Sequence, residues 1–281
     1  KITKGVYELG SVFKTFTFAA ALNMKLIEPS TEFLDLPKSI NCAGFPIREY
    51  DEKLPKNLTA EQILVRSGNI GSVRIAQKVG EEKFKSFLEK IGVIGEINFD
   101  IDEIAVYDDF SMGKCKLATA SFGHGIATTL LQLAKGYAVI SNGGYSVNPK
   151  LILSESNEKK DQKKLILNKG VSEKIVKILR KVVTNEEGTA GLANVNGYEI
   201  AGKTGTAEQA IDGQYSKTKI NTFASPIPLL LLSQNLTIGL TLMVILQRLL
   251  VEILLMPRFC SPLKCLVNRR ILPMSGKKKE F

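Results

Sequence analysis

Gly10-Ser11-Val12-Phe13-Lys14 heads a run, Val12 to Ile27, that is apolar on nearly every side: Phe13, Phe16, Phe18, Ala19, Ala20, Ala21, Leu22, Met24 and Leu26. A surface helix keeps one polar face, whereas a helix that is apolar all round belongs inside a domain. Ser11 is therefore expected at the start of a core helix. Residues at i and i+3 share a helix face, so the Lys14 amine can reach back to the Ser11 hydroxyl, and the free N–H groups of the first turn favour negative charge there. One turn thus offers a nucleophile, a base and half of an oxyanion site.

The same Ser-x-x-Lys spacing recurs at Ser111/Lys114, Ser156/Lys159, Ser216/Lys219, Ser261/Lys264 and Ser275/Lys278. Its meaning must come from the rest of the chain.

The 281 residues, 44% of them hydrophobic and 7% aromatic, are enough for one large domain or two small ones with a real core. The formal charge of +10 comes from scattered lysines and a basic end, Arg269-Arg270 and Lys277-Lys278-Lys279. It reads as a solvated surface, with attraction to anionic membrane or polymer surfaces as the other reading. No zinc-finger spacing, recognition helix or aromatic-basic alternation supports nucleic-acid binding. Cys42, Cys115, Cys260 and Cys265 form no Cys-x-x-Cys, and His124 is the single histidine. That argues against a metal centre or a Ser-His-Asp triad and leaves lysine as the natural base for an activated serine. No signal peptide or opening membrane segment is visible, yet the chain starts so close to its best motif that the N-terminus reads as a cut.

Following the Ser11 helix, Pro37, Gly44, Pro46 and Pro55 mark loops and short extended pieces. Thr59-Ala60-Glu61-Gln62 is a capping box that opens a helix to about Arg66. Ser67-Gly68-Asn69 interrupts, and helical periodicity resumes from Ile70 to Val79. A serine and an asparagine on such a turn can point into a cleft, although the spacing also occurs at Ser39/Asn41, Ser146/Asn148 and Ser233/Asn235. Glu81 to Ile91 is an amphipathic helix stopped by Gly92. The acidic stretch with Asp100, Asp102, Glu103, Asp108 and Asp109 reads as a solvated loop, and His124 between two glycines as a loop residue. Thr128 to Ile140 is an apolar helix closed by Asn142-Gly143-Gly144. Tyr145 to Leu153 reads as a strand, and Ser172 as the cap of a helix with the apolar face Ile175, Val176, Ile178, Leu179, Val182, Val183. Tyr198 to Ala207 alternates as a strand, Asp212-Gly213 turns it, and Lys217 to Ala224 returns.

Lys203-Thr204-Gly205 occurs once in the chain. Glycine in a strand admits a close backbone approach, here expected from a ligand, and the neighbouring Lys203 and Thr204 are suited to a carboxylate.

Ser-x-x-Lys on a buried helix, Ser-x-Asn between helices and Lys-Thr-Gly on a strand, in this order, resemble the signature set of penicillin-binding proteins and serine β-lactamases. The flanking text, Tyr7 to Lys14, Phe122 to Ala127 with Leu131-Gln132-Leu133-Ala134, and Gly197 to Gln209, is similar to the transpeptidase domain of class B penicillin-binding proteins, the division-specific type most of all. The resemblance runs from Lys1 to about Ala224. It implies an α+β fold, an antiparallel sheet flanked by helices with an all-helical subdomain, and no cofactor or metal. It also implies that Ser11 attacks a D-Ala-D-Ala stem peptide of peptidoglycan, forms an acyl-enzyme and passes the acyl group to an amine on a neighbouring strand. Lys14 would take the serine proton, Ser67 would relay a proton to the leaving amine, and Asn69 would bond the substrate amide and Lys14. Lys203, Thr204 and Thr206, with Gly205 between the threonines, would hold the terminal carboxylate. The N–H groups of Ser11 and Thr206 would form the oxyanion hole. A free lysine near pKa 10.4 is a poor base at neutral pH, so burial and the Lys203 charge are expected to favour neutral Lys14. β-Lactam binding, divisome membrane proteins as partners of a full-length protein, and a catalytic domain facing the periplasm from the bacterial inner membrane are implied in the same way.

Relative to that family, an anchor, a pedestal domain and the first sheet strands are missing at the front. From Ser225 the text changes to Pro226-Ile227-Pro228, leucine-rich runs from Leu229 to Leu255, and a basic tail. Residues 1–224 are thus expected to be a partial transpeptidase domain, with an incomplete sheet, and 225–281 an anomalous tail. A membrane helix there is interrupted by Ser233-Gln234-Asn235 and broken by Arg248 and Glu252. The expected cause is a shifted reading frame near Ser225, which coding DNA with an unbroken, independently confirmed frame would refute. Two alternatives stand beside the transpeptidase: a serine β-lactamase or β-lactam sensor, and an inactive fragment that serves only as a penicillin- or divisome-binding module.

Overall fold

The computed structural model describes residues 2–97, 99, 115–150, 164–211 and 214–226. In chain order the elements are β1 (Val6–Tyr7), a 3-10 turn (Gly10–Phe13), α1 (Lys14–Asn23), β2 (Glu32–Phe33), β3 (Ser39–Cys42), β4 (Phe45–Arg48), β5 (Leu58–Thr59), α2 (Ala60–Val65), α3 (Asn69–Val79) and α4 (Glu81–Ile91). Then come α5 (Lys116–Ala120), β6 (Thr128–Thr129), α6 (Leu130–Ser141), α7 (Val171–Thr184), a 3-10 turn (Gly191–Ala193), β7 (Lys203–Ile211) and β8 (Gln214–Ala224). Among the described residues the strands form antiparallel pairs, β1 with β6, β2 with β5, β3 with β4 and β7 with β8. Helices and antiparallel pairs together give the expected α+β class.

α1 is the axis of the core. Lys14 through Leu22 are all buried, and α2, α3, α4 and α7 pack around the helix. A helix surrounded on every side has no use for a polar face, which is why its sequence is apolar all round. The expected run from Val12 to Ile27 is divided, however. Gly10 at φ +60° starts a 3-10 turn that carries Ser11, and the α-helix proper begins only at Lys14.

Local signals set most helix ends. Thr59 and Gln62 close the expected capping box on α2, and Gly92 ends α4 in the left-handed region at φ +73°. Ser172 does not cap α7. It lies inside the first turn, where its hydroxyl donates to the Ile140 carbonyl and accepts from the Gly143 N–H, stitching α7 to the end of α6. The strand expected from Tyr198 starts at Lys203, because only from there does β8 supply partners, Lys203 opposite Ala224 through Thr206 opposite Asn221. Of the strand expected at Tyr145–Leu153, Tyr145 makes a single bridge to Leu165. Residues 151–153, the acidic stretch 100–114, the turn 212–213 and the leucine-rich and basic tail from 227 lie outside the described residues. Among the described residues no helix is long and apolar enough to cross a membrane.

A disulfide that the cysteine pattern did not disclose joins Cys42 at the end of β3 to Cys115 just before α5, with Cα atoms 5.7 Å apart and a sequence separation of 73. It pins the β3–β4 hairpin to the helical side of the molecule. By loop-closure entropy, cross-linking a loop of that size contributes about 4 kcal/mol. Replacing both cysteines by serine is expected to lower the urea midpoint by a corresponding amount, and reducing agent is expected to lower the midpoint of the unsubstituted chain while leaving the double variant unchanged.

Candidate active site

Three backbones meet at Gly10. A Cβ on Gly10 would stand 2.3 Å from the Thr206 carbonyl oxygen, and one on Gly205 would stand 2.3 Å from the Leu9 carbonyl oxygen. Such distances exclude any side chain, so β7 lies backbone to backbone against the Ser11 turn. The Gly10 N–H in turn donates to the Gly123 carbonyl. The bareness of Gly205 serves this internal packing, against Leu9 and Val12, and not the ligand approach expected from sequence.

Ser11 sits half-buried on this turn, and its hydroxyl makes no hydrogen bond among the described residues. Lys14, 2% exposed, points across the turn to the α2–α3 connection. Its Nζ donates to the Ser67 carbonyl (2.6 Å), the Ser67 Oγ (3.0 Å) and the Asn69 Oδ1 (2.7 Å). An ammonium has three donors, and these acceptors use all of them. Ser67 is held in the left-handed region at φ +60°, a conformation that a non-glycine residue keeps only when its surroundings enforce it.

From the other side comes Lys203, fully buried. Its Nζ donates to the Ser67 Oγ (2.9 Å) and to the Thr204 carbonyl (3.1 Å). Along β7 the odd residues Lys203, Gly205 and Ala207 are buried, whereas Thr204 is half-buried and Thr206 exposed. Strand alternation therefore places both threonines on the open face. Thr206 Oγ1 donates to Asn221 Oδ1 on β8 at 3.1 Å.

The Ser67 hydroxyl thus has an amine on each side. Burial pushes Lys14 down to about 7, opposed by the negative charge of Glu49. Burial, and then the Lys14 charge, hold Lys203 well below the usual lysine range. From sequence, burial and the Lys203 charge are both expected to favour neutral Lys14. Burial does so here, and the two amines, joined through the Ser67 hydroxyl, disfavour each other's charge.

Several positioning groups escaped the sequence. The buried Tyr137 hydroxyl donates to the Val12 carbonyl (3.0 Å) and lies 2.9 Å from the Thr15 hydroxyl, bracing the turn from behind. Thr204 Oγ1 donates to Thr189 Oγ1 at 2.8 Å. Thr189 belongs to Gly188-Thr189-Ala190, the same tripeptide as Gly205-Thr206-Ala207, and that repetition was the available signal. Arg66, just before Ser67, reaches Glu187 at 2.8 Å and so ties the α2–α3 turn to the segment carrying Thr189. His124 is a loop residue as expected, its ring 5.1 Å from that of Phe122. Burial and the Lys14 charge push its pKa down, against a backbone bond to Phe122 and the Glu208 charge.

The chain matches the penicillin binding protein transpeptidase domain over residues 1–229. It is 30% identical over 220 residues to penicillin-binding protein PbpB of Mycolicibacterium smegmatis, covering 72% of this chain and 34% of that protein. It is 29% identical over 229 residues to the probable peptidoglycan D,D-transpeptidase FtsI of Caulobacter vibrioides, covering 79% and 38%. The fold matches the TP domain of Burkholderia pseudomallei penicillin-binding protein 3 with a TM-score of 0.73 at 24% identity, over 82% of this chain and 69% of that one. Penicillin-binding protein 3 of Mycobacterium tuberculosis, solved with aztreonam, gives 0.71 at 26% identity, over 80% and 54%. The chain spans about a third of the length of the curated relatives it matches.

Tyr137→Phe removes one hydroxyl that satisfies two buried groups behind the Ser11 turn. It is expected to cost about 1 kcal/mol of unfolding free energy, read as a lower urea midpoint at unchanged slope.

Proposed function

The chain belongs to the transpeptidase family of penicillin-binding proteins, and from that premise we propose that residues 1–224 act as the acylating domain of a division-type peptidoglycan D,D-transpeptidase. The observation that carries this reading is a chain of hydrogen bonds that runs from the Asn69 amide to the Lys14 amine, on to the Ser67 hydroxyl and to the Lys203 amine, with Lys14 three residues after Ser11.

The Ser11 oxygen attacks the carbonyl carbon of the penultimate D-Ala of a stem peptide, and Lys14, neutral through burial, accepts the hydroxyl proton. The N–H groups of Ser11 and Thr206 face the oxyanion that develops. Collapse breaks the C–N bond, and the leaving D-Ala nitrogen takes a proton through the Ser67 hydroxyl. An amine of a neighbouring stem then attacks the ester, and its proton returns by the same route as Ser11 is released. Asn69 holds the substrate amide, while Thr204 and Thr206 on the open face of β7 hold the terminal carboxylate together with Lys203. A carboxylate beside Lys203 raises its pKa again, so the bound substrate favours charge on Lys203 over charge on Lys14. β-Lactams enter as acylating mimics of the same peptide.

The tail, 225–281, takes no part in this reading. Divisome membrane proteins are the expected partners of a longer protein, and a domain facing the periplasm suits the Cys42–Cys115 disulfide, which persists in an oxidising compartment.

Intact-mass measurement with a penicillin tests the assignment. A stable increase equal to the drug is expected for the chain and none for Ser11→Ala. Rapid loss of the adduct would make the protein a β-lactamase, and no adduct on a folded chain would make it a non-catalytic module. The acylation rate is expected to fall as pH drops through about 7, since protonated Lys14 cannot accept the serine proton, and to level off above that pH. A rate that is flat through this range would remove Lys14 as the base.

A further inference from the structure

Helix α3 starts with Asn69, yet the residue just before it gives it no side-chain cap. Gly68 stands at the N-cap position and makes no side-chain bond to the first turn. The cap comes from Glu49, the residue after β4. Its Oε2 accepts the Asn69 backbone N–H at 2.6 Å and its Oε1 accepts the Ile70 N–H at 2.8 Å. A carboxylate is the right group for this place, because it satisfies two of the helix's free donors and faces the positive end of the helix dipole.

The residue before it holds the other end of Asn69. The Arg48 carbonyl accepts from Asn69 Nδ2 at 2.8 Å. A carbonyl accepts only from the NH₂ side of an amide, so this bond fixes which way the Asn69 side chain faces and leaves Oδ1 to Lys14 at 2.7 Å. Two consecutive residues at the end of β4 thereby grip the backbone and the side chain of Asn69.

We propose that Glu49 is a positioning residue of the active site, which holds Asn69 and the Ser67 turn in register with Lys14 from the end of the β3–β4 hairpin. It touches no reacting atom and acts through Asn69 and through its charge. The groups that bear on Lys14 are Lys203 from β7, Ser67 and Asn69 from the α2–α3 connection, His124 from the loop before β6 with Glu208 beyond it, and Glu49. Glu49 is the anion that favours the charged form of Lys14 against its burial. Removing that charge while keeping the shape therefore makes Lys14 lose its proton more easily.

This inference rests on the transpeptidase reading for its consequence in catalysis but not for its placement, so two readouts are used. The first is the titration of Lys14, followed by its side-chain NMR signal in the full chain and in Glu49→Gln. The midpoint is expected near 7 in the chain and lower in the variant by about half a pH unit. An unchanged midpoint in a folded Glu49→Gln would overturn the proposal. The second is the plateau rate of penicillin acylation in a cycle of Glu49→Ala and Asn69→Ala. Glu49→Ala alone is expected to slow acylation about tenfold or more and to add little in the Asn69→Ala background. A loss that multiplies in full in that background would show that Glu49 does not act through Asn69. Should the chain titrate as expected and yet take no acyl group, the transpeptidase reading would fall while the placement of Glu49 stood.

Discussion

Two lysine side chains buried on either side of one hydroxyl are the constraint from which the rest of the site follows. A buried ammonium costs free energy, and two of them so near to each other cost more than twice as much, so burial and mutual repulsion both work against two protons on the pair. The protein meets that cost with acceptors. The Ser67 carbonyl and hydroxyl, the Asn69 amide oxygen and the Thr204 carbonyl all aim at the two amines. Lys14 near 7 is poised between donor and acceptor, which is what a base working at neutral pH requires.

Holding the amines there requires three remote segments to meet with little tolerance. Gly10, Gly123 and Gly205 allow backbones to touch where any Cβ would collide. Tyr137 fills the space behind the turn and satisfies the Val12 carbonyl. Arg66 and Glu187 tie the Ser67 turn to the segment bearing Thr189, and Thr189 holds Thr204. The Ser11 turn and the Ser67 turn thus meet the β7–β8 hairpin at the edge of the helical layer.

Several sequence expectations failed for one reason. Ser172 has the composition of a cap and Gly205 that of a ligand-facing strand position, but the structure uses each for contact between elements. Tyr198 to Gly202 alternates like a strand, yet a strand exists only where a partner lies alongside. Local pattern describes what a residue permits. Its neighbours in space decide which of the permitted uses occurs.

The sequence by itself determined that a fully apolar helix carries a serine and a lysine at its head, that a serine and an asparagine interrupt two helices, and that a lysine opens a glycine-bearing strand. These are properties of periodicity and capping, which act over a few residues. Only the tertiary structure decided that the Lys14 amine leaves its helix neighbour Ser11 for Ser67 and Asn69, 53 and 55 residues away, or that Lys203 reaches Ser67 across 136 residues. It also decided that Glu49 caps a helix begun 20 residues later. Hydrogen-bond partners and proton affinities depend on which groups the packed core brings together and how much water it excludes, and neither quantity is encoded in local spacing.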